Sequence, residues 1–131
     1  MLITEDFREV MNEHGFNLSE NAKFIGDVVD GELKCIAAFD NYDGTDIDIH
    51  IACKGMTRAW IRAIGEYVFD LCQCRRMTSL NDSDNFQMAP YLERLGFRYE
   101  GTKRNGLPDS DLIIYGLIRE DWKWGSPNRK I

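Results

Sequence analysis

Between residues 45 and 53 the chain reads Thr-Asp-Ile-Asp-Ile-His-Ile-Ala-Cys, a strict alternation of polar and apolar side chains. Successive side chains of a strand point to opposite faces, so Ile47, Ile49 and Ile51 share one face and Asp46, Asp48 and His50 the other. Wound as a helix, the same residues would scatter carboxylates among the isoleucines. The pattern predicts a strand with one buried face and one unusually polar face. Lys54-Gly55-Met56-Thr57 then turns the chain, and Trp60, Ile64, Tyr67, Val68 and Leu71 recur at helical spacing to about residue 71. A short strand is expected over residues 77–80. Strand, helix and strand in that order make a crossover, expected to be right-handed, between parallel strands.

The flanking sequence supplies the rest of a sheet. Phe7, Val10 and Met11 predict a helix over residues 3–14, with Thr4 as its N-cap and Gly15 as its stop. Strands are expected over residues 23–29 and 32–40, joined by the two-residue hairpin Asp30-Gly31. After the polar turn of residues 81–85, a shorter helix closes at Leu95-Gly96-Phe97, and Pro90 should kink it or delay its start. Residues 97–101 and 111–117 read as two more strands, and residues 125–131 as a polar, frayed tail. The expected fold class is α+β: a mixed, mostly antiparallel sheet with flanking helices. A mixed sheet of this kind splays somewhere, and ligands favour such breaks, beside strand ends and helix starts.

At 131 residues, 44% hydrophobic and 29% charged, the chain suits a single domain spanning 1–131. Its net charge of −6, from 22 acidic and 16 basic residues, argues against a nucleic-acid partner and favours cationic ones. No apolar run approaches the roughly 18 residues of a membrane span, and the N-terminus has no signal-peptide pattern, so a cytoplasmic location without membrane contact is expected. Cys35, Cys53, Cys72 and Cys74 form no CxxC pair, and His14 and His50 lie far from any zinc-like spacing. No metal site is expected, and the cysteines are read as reduced core thiols.

Two segments carry chemistry. The strand–loop–helix unit ending at Arg58 exposes the amides of a helix start, Gly55 permits close approach, and Lys54 and Arg58 add positive charge. It reads either as a pyrophosphate cradle or as an ordinary glycine turn. The second segment holds Arg76, Asn85, Leu92-Glu93-Arg94-Leu95-Gly96-Phe97, Glu100-Gly101, Asp111-Leu112 and the closing Arg119-Glu120-Asp121-Trp122. In that order these residues resemble the C-terminal half of GNAT N-acetyltransferases, closest in pattern to ribosomal-protein N-terminal acetylase-like and phage-encoded members.

The resemblance implies acetyl-CoA as co-substrate, bound in a splay between the fourth and fifth strands, with one early strand either missing or unread. The pyrophosphate would lie on Cys53, Lys54, Gly55, Met56, Thr57 and Arg58, with Asn85 meeting the pantetheine arm or the start of the following helix. Asp48 and His50 are the candidates for the base that deprotonates an amine, and Tyr91 for an acid serving the thiolate. The expected acceptor is a protein N-terminus, a lysine or a small amine, and a homodimer is an allowed assembly. Two departures stand beside this. The pyrophosphate loop carries one glycine, and the family's frequent tyrosine acid falls on Leu92. They motivate the alternative reading, a GNAT-like binding protein of weak or no catalysis, phage-encoded and acting on a host protein.

Overall fold

The computed structural model describes residues 1–125, so the tail expected beyond Gly125 lies outside the described residues. Seven strands form one sheet in the order β1-β2-β3-β4-β5-β7-β6. They are β1 (Leu2–Ile3), β2 (Lys23–Val29), β3 (Glu32–Asp40), β4 (Asp48–Cys53), β5 (Arg76–Asp82), β6 (Arg98–Lys103) and β7 (Leu112–Ile118). All neighbouring pairs are antiparallel except β4 and β5, which run parallel across the crossover. The mixed sheet with its parallel break between the fourth and fifth strands is thus the architecture expected from sequence.

The alternation of β4 divides the molecule into two layers. Ile47, Ile49 and Ile51 pack with Trp60, Ile61, Ile64 and Val68 of the crossover helix and with Leu92 and Leu95. The opposite face packs Phe7, Met11, Phe24, Ile36 and Ala38 under α1 (Arg8–Glu13). The crossover helix α2 (Arg58–Gly65) continues as a π-helical turn over Glu66–Leu71, which reaches the expected end with a wider coil. A short 3₁₀ turn (Phe86–Met88) precedes α3 (Ala89–Leu95), whose first turn holds Pro90. That placement delays the helix start as expected, because proline lacks only an amide that the first turn leaves unpaired anyway. Gly96 ends α3 at φ +112°, the left-handed position anticipated for it.

Three expectations fail at the N-terminal end and among the cysteines. The segment expected to be helical from residue 3 begins as β1, paired to β2 at Leu2↔Asp27 and Ile3↔Gly26. Of the two alternatives for the early strand, it is present and was unread. Thr4 caps nothing, and α1 starts after Phe7 without a side-chain cap. Its two-residue length explains why alternation could not reveal it. Cys35 and Cys53, expected as free thiols, face each other across β3 and β4 and are joined as a disulfide, with Cα atoms 4.1 Å apart. Spacing rules missed the pair because strand register, not sequence proximity, brings the two together. Cys72 and Cys74 are free. Among the described residues no helix is long and apolar enough to cross a membrane.

Candidate active site

Strands β4 and β5 meet at one end only. Arg75 N–H donates to Thr45 C=O (2.8 Å) and Thr78 N–H to Ile47 C=O (2.9 Å). The register between the strands is confined to Asp48↔Thr78. The closed end is clamped by side chains. Thr78 Oγ1 lies 2.9 Å from both Asp46 carboxylate oxygens, and Arg76 reaches Asp46 (3.6 Å) and Glu100 (2.6 Å). Burial raises the Asp46 pKa above the ordinary carboxylate value, although the Thr78 hydrogen bond and the Arg76 charge oppose it. Asp46, which alternation placed with Asp48 and His50, is thereby committed to holding the strands together. A side chain at Gly116 would fall 2.3 Å from both Arg76 Nη2 and Glu100 Oε2, so glycine leaves room for this clamp.

Beyond Asp48 the two strands have no register, and cavities lie on both sides of the divergence. One, of about 330 Å³, is lined by Phe16, Ile36, Ile51, Ala52, Cys53 and Asn85 among others. A second, of about 240 Å³, lies between α3 and the β5–β7–β6 face. Asn85 and Met88 line both. Asn85 stands between the two cavities, just before the short helical turn of residues 86–88.

His50 projects from β4 on the α1 side, opposite Ala38, with its ring centroid 5.1 Å from that of Phe16. Its Nδ1 is buried without a hydrogen-bond partner. Burial pulls the imidazole pKa below its ordinary 6.5, and the nearby Asp48 and Asp40 charges recover only part of the shift. At neutral pH the ring is uncharged and able to take a proton. Asp48 Oδ2 accepts from the Asn41 side-chain amide (2.9 Å). Asp40, opposite Asp48 on β3, is a neighbour that sequence reading missed. Burial pushes its pKa up, but hydrogen bonds from the Ser19 hydroxyl, the Ser19 amide (2.7 Å) and the Asn41 amide (3.0 Å) outweigh it and hold it below the usual value. No sequence signal marks Asp40, because only the strand register sets it opposite Asp48. Tyr91 is not brought to this group. It stands 38% exposed on α3, while its neighbour Leu92 is fully buried.

At the other end of β4 the loop of residues 53–58 leads into α2. Thr57 caps that helix: its Oγ1 accepts from Trp60 N–H (3.2 Å) and donates to Asp27 (2.6 Å), a carboxylate only 3% exposed. The first intrahelical bond runs from Ile61 N–H to Thr57 C=O, so the amides of Arg58 and Ala59 precede it. Gly55 N–H donates to Cys53 Sγ (3.3 Å), and nothing lies within 4 Å of where a Gly55 side chain would stand. Cys53, Lys54, Gly55, Met56, Thr57 and Arg58 thus form an open turn at a positive helix end. A groove of about 510 Å³ runs on from Arg58 past Arg62, Arg94 and Lys123.

The seven-stranded sheet, parted at its one parallel pair beside a helix start, superposes on a group of solved structures. This chain has the GNAT acetyltransferase fold. A structure described as a probable acetyltransferase superposes with a TM-score of 0.68 at 25% identity, over 89% of this chain and 68% of that one. Ribosomal-protein-S5-alanine acetyltransferase from Vibrio fischeri gives a TM-score of 0.62 at 21% identity, over 88% and 69%. Spermidine/spermine N-acetyltransferase SpeG from Vibrio cholerae gives 0.67 at 14%, over 90% and 91%. No protein-family model and no curated protein matches the sequence. At these identities the likeness to the two Vibrio enzymes is one of GNAT fold. The closing motif makes sense within that fold. Arg119 donates to Phe69 C=O (2.6 Å) and Cys74 C=O (3.0 Å), and Trp122 packs on Gly65, tying the chain end to the crossover helix.

Proposed function

We propose that this chain is an N-acyltransferase that moves the acetyl group of acetyl-CoA directly to an amine. The observation that carries the reading is the gap between β4 and β5, with an open helix start at one end and, beside it, an uncharged imidazole whose buried Nδ1 has no hydrogen-bond partner. The pyrophosphate of the co-substrate would lie on the turn of residues 53–58, and its pantetheine arm would pass Asn85 into the gap. The amine would approach from the α1 side, where His50 and Asp48 project. Solved structures of the same fold include enzymes named for spermidine and for a ribosomal-protein alanine, which supports an amine acceptor.

The chemistry asks little of the protein beyond placement. An aliphatic amine with a pKa near 10.4 is neutral in about 1 molecule in 2,500 at pH 7, a deficit of roughly 4.6 kcal/mol. Holding amine and thioester together supplies roughly 7–11 kcal/mol, so alignment covers that deficit. The amine nitrogen forms a bond to the thioester carbonyl carbon, the carbon–sulfur bond breaks, and CoA leaves as a thiolate that takes up a proton. His50, with Asp48 alongside, accepts the proton lost by nitrogen. Tyr91 is the remaining candidate acid for the thiolate. A thiolate is a competent leaving group, so buried Leu92 in the family's tyrosine position does not preclude turnover.

The test is release of free CoA thiol from acetyl-CoA in the presence of spermidine, a lysine peptide or an alanine-initiated peptide. Release with at least one amine, lost in Asp48→Asn and His50→Ala, supports the reading. The second reading, a GNAT-shaped protein that binds a partner without catalysis, draws on Leu92 and the exposed Tyr91. It predicts no release with any amine, and partner binding indifferent to both substitutions and to acetyl-CoA.

A further inference from the structure

We infer that the apolar slot beneath α3 receives the acyl chain of the donor, and that this chain prefers acyl groups longer than acetyl. The inference rests on the N-acyltransferase reading above and extends it to donor choice. The slot holds about 240 Å³, and its apolar lining includes Phe86, Met88, Leu92, Tyr99, Ile113 and Tyr115. Register builds its floor: Asn81 stands opposite Ile113, and Tyr115 opposite Tyr99, whose ring meets it edge-on at 6.2 Å. Leu92 contributes a methyl-lined wall where a hydroxyl would otherwise stand.

Three observations make an acyl chain the fitting occupant. First, the slot opens where the donor's thioester would sit, because Asn85 and Met88 line both it and the cavity beside Ile51, Ala52 and Cys53 of β4. Second, Phe86 is 76% exposed and Tyr99 58% exposed, apolar surface that a bound chain would cover. Third, size suits it. An apolar cavity of about 150 Å³ accepts benzene, so this slot has room for roughly six to eight carbons. An amine fits less well, because His50 and Asp48 project from the opposite face of the sheet and could not take its proton. Asp82, at the rim, already accepts from Asp84 N–H (2.9 Å). The reaction is unchanged and balanced: nitrogen–carbon bond formed, carbon–sulfur bond broken, amine proton lost, thiolate protonated.

Calorimetry of the full chain with acetyl-, butyryl-, hexanoyl- and octanoyl-CoA tests it. Each buried methylene favours binding about fourfold, so hexanoyl-CoA is expected to bind more tightly than acetyl-CoA by roughly 15-fold if two of its four extra methylenes are buried and roughly 250-fold if all four are. Ala89→Leu, which narrows the slot, and Phe86→Ala, which removes an exposed wall, should each reduce that ratio. Acetyl-CoA bound as tightly as hexanoyl-CoA or more so, or a ratio moved by neither substitution, overturns the inference and leaves the N-acyltransferase reading standing. Failure of every acyl-CoA to bind overturns both.

Discussion

Replacement of His50 by glutamine is expected to lower kcat/KM for acyl transfer by about 10²–10⁴-fold, the usual worth of a positioned proton acceptor. Acetyl-CoA affinity should change little, because His50 lies on the α1 side of β4 and away from the helix start that would hold pyrophosphate. The pH profile separates this role from a structural one. Burial holds the wild-type imidazole below its ordinary 6.5, so the rate should fall only on the acid side of that value, and the fall should vanish in His50→Gln. Stability carries the same signature. The folded state resists protonating His50 while the unfolded chain accepts a proton near pH 6.5, so stability is complete above that pH and declines as pH drops below it. The glutamine variant should flatten that decline. An unchanged kcat/KM would remove His50 from the mechanism and leave Asp48 as the acceptor to test.

The largest effect on stability is expected at Trp60. Its side chain is fully buried, and its Nε1–H donates to Ile25 C=O at 3.0 Å, fastening α2 to β2 across the sheet. Truncation in a close-packed core loses transfer energy, leaves a cavity and here strands a buried carbonyl. Trp60→Ala should therefore cost about 3–5 kcal/mol in urea denaturation. Since α2 begins three residues earlier at the Thr57 cap, whose hydroxyl also binds Asp27, the variant should also weaken acetyl-CoA binding. Trp60→Phe keeps most of the volume and should lose less. A cost below about 1 kcal/mol for the alanine variant would contradict the packing described, given the range for such truncations.

The sheet was legible wherever a segment had one face to bury. Ile47, Ile49 and Ile51 announced β4, the stripe from Trp60 to Val68 announced the crossover, and Asp30-Gly31 announced the hairpin, realised with φ +52° and +78°. Leu2–Ile3 was not legible, because two residues cannot show a period. The candidate site divided along the same line. Residues contiguous in sequence, from Cys53 to Arg58, could be named as one turn before a helix, and alternation put Asp48 and His50 on a common face. Features made by register could not be foreseen. These include the Cys35–Cys53 bridge, Asp40 opposite Asp48, and the diversion of Asp46 into the Thr78–Arg76–Glu100 clamp. Tyr91 shows the converse limit. A one-residue step on a helix turns a side chain by about 100°, so sequence alone did not tell how far Tyr91 is buried: it stands 38% exposed while Leu92 beside it is fully buried.

On the proposed function, the parted strands and the turn of residues 53–58 hold an acyl-CoA. Titration calorimetry with acetyl-CoA tests it most directly, on the intact chain and on Arg58→Glu. Saturable binding to the intact chain is expected, weakened by the charge reversal beside the helix start. No binding at millimolar acetyl-CoA would contradict it.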